Sequence, residues 1–301
     1  MPPELIRGAL SGAKQEGYNV ISFSGGEPLL YEGLEDALEY AHSLNLTTAL
    51  TTNGTLLSPK RLNPLTVHLD LMAISLDGKP DAHNRMRASK TAFDKLEQGL
   101  VHVRESGLNF GFIFTLTQYN VHELEWVAEF AATQGAKLLQ IHPLEEVGRA
   151  QEKLVGESPD ETEATVAFVE ALRIQKQFEA QLAIQVDLIH RKTALQQPER
   201  LYAEGKFEAD APLADLISPL VLEPDGTLTP LQFGFAREYA LGNLFDAPFT
   251  ELAGRWKATT LTGFSALCKD TFERHVEADT KPFFNWYEAV SSLSHKVAIA
   301  H

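Results

Sequence analysis

Apolar residues recur at helical spacing at Leu5, Ile6, Ala9, Leu10 and Ala13, which predicts a helix over residues 3–17. Pro3 suits its first turn, where no N–H is needed, and Gly17 is a natural stop. The period then changes. Tyr18–Phe23 reads as a short strand and runs into Ser24-Gly25-Gly26-Glu27-Pro28. A second helix over about 32–44 places Leu34, Ala37, Leu38 and Ala41 on one side. The alternation continues with a strand Leu46–Leu50, a short helix opened by Ser58-Pro59, a strand Leu69–Leu76, a helix over about 91–106 and a strand Phe110–Leu116. Asn120 and Glu123 have capping-box spacing ahead of a stripe of Val121, Leu124, Val127, Ala128 and Ala131. Lys137–Ile141 is one more strand, and Ser158-Pro159-Asp160-Glu161 opens a long helix to about 179.

Strands and helices that alternate with short loops imply an α/β fold with a parallel sheet and right-handed crossovers. In such sheets ligands sit beyond the carboxyl ends of the strands. Ser24–Pro28, Asn53, Asp77 and His142 all fall just after a predicted strand. Taken one at a time, these are ordinary turn residues; their shared placement carries the weight. After residue 180 the alternation fades. Glu223-Pro224-Asp225-Gly226-Thr227 between apolar residues predicts a hairpin. Trp256, Phe264, Phe283, Phe284 and Trp286 supply the apolar bulk of a small C-terminal module.

Composition narrows the function. Acidic residues outnumber basic ones 41 to 26, giving a net charge of −15, which argues against nucleic-acid and anionic-lipid surfaces as partners. No apolar run is long enough to span a membrane, and Met1-Pro2-Pro3-Glu4 has no leader character, so the expected location is the cytoplasm. Among 301 residues there is one cysteine, Cys268, which excludes an intrachain disulfide and a thiolate-rich metal site. The histidines His83, His102, His122 and His142 show no metal-ligand spacing.

The glycine loop adds a more specific signal. Gly25 and Gly26 allow close backbone approach beside the Glu27 carboxylate, and Pro28 fixes the exit, which suits an ammonium group. Behind Val20-Ile21-Ser22-Phe23 and ahead of Leu29-Leu30, this segment resembles the loop of radical S-adenosylmethionine (SAM) proteins that holds the methionyl amine. The resemblance continues through Thr52-Asn53-Gly54, Ile74-Ser75-Leu76-Asp77-Gly78, His83-Asn84-Arg85-Met86-Arg87, Gln140-Ile141-His142-Pro143-Leu144 and Gly148-Arg149-Ala150. It implies that Gly25, Gly26, Glu27, Pro28, Asn53, Ser75, Asp77, Arg87 and His142 line a SAM site, with Arg87 on the SAM carboxylate, Ser75 and Asp77 toward ribose or substrate, and His142 near the adenine. Asn84 stands where the family has an aspartate. Leu222–Leu231 and Tyr239–Leu244 resemble the hairpin of SPASM and twitch extensions in peptide-modifying members, with Leu231 in place of a cluster cysteine.

The expected fold is therefore a partial (βα)5-6 TIM-like barrel lacking its first strand, with a small α+β C-terminal extension. The expected divisions are a core over 1–155, a helical connection over 156–215 and the extension over 216–301. The family's C-x3-C-x2-C motif, which holds a 4Fe–4S cluster with SAM, has no counterpart here; by position it lies ahead of Met1. Three readings stay open. One is a truncated or split radical SAM protein that acts on a peptide or protein once the cluster segment is supplied. One is an inactive pseudoenzyme that binds a peptide or partner. One is an unrelated barrel enzyme using Glu27, Asp77 or His142 as acid or base. Without the cluster, SAM affinity is expected to be weak, and the chain alone is expected to be inactive.

Overall fold

The computed structural model describes residues 1–145, 154–202, 211–278 and 280–299. The Gly148-Arg149-Ala150 segment lies outside the described residues. The chain divides into two compact units, one over Val20–Leu188 and one formed by residues 1–19 together with the described residues from Ile189 onward. These limits differ from the divisions expected at 155 and 215.

The first unit is the α/β part. Its elements alternate as β1 (Val20–Phe23), α1 (Leu34–Ser43), β2 (Thr47–Thr52), α2 (Pro59–Leu62), β3 (Leu71–Ser75), α3 (Pro80–Met86), α4 (Ala92–Ser106), β4 (Phe110–Leu116), α5 (Leu124–Gln134), β5 (Leu138–Pro143), α6 (Glu161–Phe178) and β6 (Ala183–Val186). The six strands form one parallel sheet in the order β1-β2-β3-β4-β5-β6. Sequential order with helical crossovers is the partial-barrel arrangement the alternation predicts. Strand β1 pairs only with β2 among the described residues, so it forms one edge of the sheet.

The two faces of the sheet differ. Leu50, Met72, Ile74, Phe112, Phe114, Leu139 and Ile141 belong to a fully apolar core with Leu38, Leu96, Leu100, Val127 and Ile174 from the helices. The alternate residues Thr51, Ala73, Ile113, Gln140, His142 and Gln185 remain half-buried or exposed. Both faces of a parallel sheet are normally covered by apolar packing and its strands then read as continuous apolar runs. Here the period of two survives in β5 and β6, and the face away from the helices mixes Thr51, Gln140, His142 and Gln185 with Ala73 and Ile113. Register aligns Ser75 with Ile113, Ile113 with Gln140, and Gln140 with Gln185 in one row across that open face.

Most predicted elements stand within two or three residues of their observed limits. The capping of α5 is different: its N-terminal turn is a 3-10 turn over Val121–Glu123, and Asn120 caps nothing. Its side chain instead accepts from the Thr117 amide at 2.7 Å and donates to the carbonyls of Asp77 and Thr115 at 3.0 and 2.8 Å. The long-helix cap is a true capping box between Asp160 and Glu163.

The second unit gathers the N-terminal helix Pro3–Gln15 with the C-terminal elements. The reason is steric and polar. Gly12 lies so close to Phe249 that a Cβ there would sit 2.3 Å from the Phe249 Cβ. The Tyr18 hydroxyl donates to the Ile217 carbonyl at 2.8 Å, and Glu16 pairs with Lys257 at 2.7 Å. The helical period of this segment predicts the helix but not what its stripe packs against. The predicted hairpin is present: strands Leu220–Leu222 and Thr227–Pro230 pair antiparallel across Pro224-Asp225-Gly226.

Candidate functional site at the carboxyl ends of the strands

The loop after β1 is built around Glu27. Its carboxylate accepts from the Leu29 amide at 3.1 Å, the Thr52 hydroxyl at 2.7 Å and the Asn53 amide at 2.9 Å. It therefore ties the end of β1 to the end of β2. Asn53 Oδ1 accepts from the Thr55 amide and hydroxyl at 2.9 and 2.6 Å, and Pro28 is buried at the start of a 3-10 turn over Pro28–Leu30. Arg61 donates to the Leu29 carbonyl and fixes the far side of this turn. Gly25 has φ +117°, which disfavours any side chain, and a Cβ at Gly25 or Gly26 would meet nothing within 4 Å. The two glycines thus frame an open cradle beside a carboxylate that is held in place but already accepts three hydrogen bonds.

The second group lies past β3. Asp77 is fully buried, and Arg87 grips its carboxylate with Nε at 2.7 Å and a terminal nitrogen at 3.1 Å. Burial pushes the Asp77 carboxyl up, but the Arg87 guanidinium outweighs it and holds the group below its ordinary value. The Asp77 amide donates to His83 Nδ1 at 3.2 Å. The same Nδ1 lies 3.4 Å from Asp77 Oδ2. His83 Nε2 is buried without a hydrogen-bond partner among the described residues. Gly78, at φ +135°, turns the chain here, and a Cβ on it would meet Glu123 Oε2 at 2.1 Å. Glu123 in turn accepts from the Lys79 amide at 2.5 Å.

The third group spans β5 and β6. His142 Nδ1 lies 3.0 Å from Asp187 Oδ2, and Nε2 lies 3.7 Å from Glu145 Oε1. Gln140 and Gln185 donate to the two oxygens of Asp187 at 2.6 and 2.9 Å. Burial raises the Asp187 carboxyl, and the hydrogen bonds from His142, Gln185 and Gln140 bring it below its ordinary value. His142 keeps 37% of its side chain exposed.

Of the residues the sequence singles out, the structure joins Glu27 to Asn53, and Asp77 to Arg87. Ser75 is buried at the end of β3, in the same row as Gln140. Arg87 and Asp77 are joined to each other, so neither presents a bare charge to a ligand. The sequence reading does not include Asp187 in the site. Its signal was the alternation Ala183-Ile184-Gln185-Val186, four residues long and easily lost after a long helix.

The residues present do not fit a 4Fe–4S cluster. Cys268, the sole cysteine, is buried in the helix Leu261–Phe272, and burial pushes its thiol up to about 12. No group of three His, Cys, Asp or Glu converges among the described residues. After the hairpin, Leu231 is buried at φ +64°. The loop beyond it is held by Glu223, which accepts from the Thr229 hydroxyl at 3.2 Å, the Gly234 amide at 2.8 Å and Arg237 at 2.5 Å. The open space at Gly25 and Gly26, beside the Glu27 carboxylate, leaves room for an amine.

Comparisons with known proteins bear on the same residues. The model of the Radical SAM superfamily matches residues 1–131. The chain is 28% identical over 251 residues to the Fe-coproporphyrin III synthase of Methanosarcina barkeri, covering 78% of this chain and 61% of that one. It is 29% identical to an AdoMet-dependent heme synthase of Nitratidesulfovibrio vulgaris, over 44% of this chain and 37% of that one. It is 31% identical to the PqqA peptide cyclase of Ruegeria pomeroyi, over 40% and 33%. The chain thus spans between a third and three-fifths of these relatives. In fold it is similar to anSMEcpe with bound AdoMet, with a TM-score of 0.62 at 20% identity, covering 100% of this chain and 88% of that one. It is similar also to SuiB of Streptococcus suis bound to its precursor peptide SuiA, with a TM-score of 0.64 at 16% identity, over 87% and 59%.

Proposed function

From the premise that this chain carries a radical SAM domain, we propose that residues 20–188 are the SAM-holding sheet of a protein whose cluster ligands come from sequence outside these 301 residues. The observation that carries this reading is the cradle at Gly25 and Gly26, open to solvent and set beside Glu27 at the end of β1. In this role the Gly25 and Gly26 carbonyls and Glu27 accept from the methionyl amine. Asn53 and Ser75 border the ribose, and His142 lies toward the adenine. Arg87 reaches the SAM carboxylate with the donors that Asp77 leaves free, so Asp77 positions Arg87 rather than touching the ligand. SAM when bound supplies the hydrogen-abstracting chemistry of the family; the residues here bind and orient it. Each hydrogen bond to a charged group contributes about 1.5–3 kcal/mol, so a few of them without a metal anchor give about −4 to −5.5 kcal/mol, a Kd of about 0.1–1 mM.

The substrate is a peptide, on the fold-level likeness to peptide-modifying enzymes, or a tetrapyrrole, on the sequence match that runs through 78% of the chain. The scaffold reading, in which the chain binds a peptide and does no chemistry, draws on Leu231 and on the closed Asp77–Arg87 pair.

Calorimetry with SAM is the direct test. A Gly26→Val variant, which fills the cradle, should abolish the weak heat of binding while leaving the fold intact by circular dichroism; binding unchanged in that variant sinks the proposal. Anaerobic treatment with iron and sulfide should give no 4Fe–4S absorption and no 5′-deoxyadenosine. Cleavage of SAM by this chain alone would overturn the assignment of the ligands to another segment.

A further inference from the structure

A pair of histidines stands at the amino ends of the strands, away from the loops described above. His42 lies in the last turn of α1, ahead of β2, and His68 lies just ahead of β3. Their ring centres are 5.3 Å apart, and the ring planes are tilted by 56°. The backbone fixes both positions. The His42 carbonyl accepts from the Asn45 amide at 2.9 Å, where the helix ends. The His68 amide donates to the Leu65 carbonyl at 3.1 Å, and the His68 carbonyl accepts from the Thr48 hydroxyl at 2.6 Å. The two side chains differ in their surroundings. His42 is exposed, and no hydrogen bond or ion pair holds its ring among the described residues. His68 is half-buried, and its Nδ1 is buried without a hydrogen-bond partner. A buried polar atom left unpartnered is costly, and such atoms are few in folded proteins.

The spacing suits a shared metal ion. An imidazole nitrogen binds zinc at about 2.0–2.1 Å and the ring centre lies roughly 1.2 Å behind it, so two rings meeting one ion near the tetrahedral angle stand about 5 Å apart. Rings that merely stacked would lie nearly parallel, and these do not. His42 also sits where the carbonyls of α1 present the negative end of the helix dipole, which favours a cation. We propose that His42 and His68 form a binding site for a borderline divalent transition-metal ion such as nickel, copper or zinc. Nδ1 of His68 is one ligand, a ring nitrogen of His42 is the second, and water fills the remaining positions. Coordination gives the His68 Nδ1 the partner it lacks, and the exposed His42 ring turns about its side-chain bonds to meet the ion. A donor set of two imidazoles suits these metals rather than magnesium or calcium, which take oxygen ligands. Two protein ligands make the site exchangeable, unlike the closed four-ligand sites of structural zinc. The bound ion joins the end of α1 to the turn before β3. The site lies at the opposite end of the strands from the glycine cradle, and its test uses no SAM, so its outcome and that of the SAM proposal are read apart.

The test is titration of the full chain with nickel chloride while the C2–H signals of its ten histidines are followed by proton NMR. The His42 and His68 signals are identified by their loss in His42→Gln and His68→Gln. Both should broaden together, at the lowest nickel concentrations, and magnesium chloride should move neither. By calorimetry, nickel affinity should fall about tenfold or more in either variant, and the double variant should be no weaker than the single ones, because the two ligands act on one ion. Copper should bind more tightly than nickel. Circular dichroism without metal checks the fold. His42 is exposed, so His42→Gln keeps the fold and decides the result even if His68→Gln does not fold. Nickel affinity within about twofold of the wild type in folded His42→Gln overturns the site. Broadening of the His42 signal without the His68 signal overturns the pairing, and an equal response to magnesium overturns the ligand class.

Discussion

Asp77 and Asp187 both stand just past the end of a parallel strand, both adjoin an imidazole, and both are held below the ordinary carboxylate range. Their surroundings are otherwise opposite. Asp77 has no exposed surface and is gripped bidentately by Arg87, while the neighbouring His83 is sealed with it. Asp187 is partly open, is held by neutral amides, and faces a histidine that solvent reaches. One network spends its charge on closing a loop. The other leaves a histidine within reach of solvent. The comparison shows that an acid beside a histidine at a strand end is not by itself a site: burial and the identity of the second partner decide.

The largest expected effect is at the sealed network. Asp77→Ala leaves the Arg87 guanidinium without its carboxylate partner, and unfolding in urea should show a loss of about 3–5 kcal/mol. A loss under 1 kcal/mol would mean that the pair is no more structural than the open one. Acid should act in the same order. Both aspartates have folded pKa values below that of the unfolded chain, about 3.9, so their stabilisation is fully present above that value and fades as pH falls through the folded pKa. Replacing Asp77 by Asn should flatten the fall in stability below about pH 4 more than the same change at Asp187. Glu27→Gln comes next. It keeps an acceptor but removes the charge from three hydrogen bonds, for about 1–3 kcal/mol, and should loosen the joint between β1 and β2, read as faster amide exchange at Asn53. The smallest change is expected at Asp187→Asn, about 1 kcal/mol or less by the same urea measurement, because its partners are amides and solvent reaches the site. A stability loss at Asp187 as large as at Asp77 would break the comparison.

Much of the first unit was legible in the sequence because its signals are local. The helical stripe of Leu34, Ala37, Leu38 and Ala41, the strand Phe110–Leu116 and the turn glycines each depend on neighbours a few residues away. The glycine loop was legible for the same reason: Gly25 needs positive φ whatever surrounds it. The helix Pro80–Met86 was not, since no apolar stripe marks it, and Asn120 has the spacing of a cap yet serves Asp77 instead. Arg87 was read as a ligand-binding residue from its motif, and its bidentate hold on Asp77 depends on the fold between positions ten apart.

What the sequence determined by itself was the alternation of strand and helix, the cradle at Gly25 and Gly26, the Asp-Gly hairpin and the single cysteine, because each follows from backbone preference, side-chain period or a simple count. What only the tertiary structure decided was where the N-terminal helix packs, which face of the sheet stays partly open, and which acids are sealed. Those depend on desolvation and on partners distant in the chain: Glu16 on Lys257, His142 on Asp187, Glu223 on Arg237. Burial is a property of the assembled layers, and it turns one aspartate at a strand end into a sealed clamp and leaves another beside a histidine that solvent reaches.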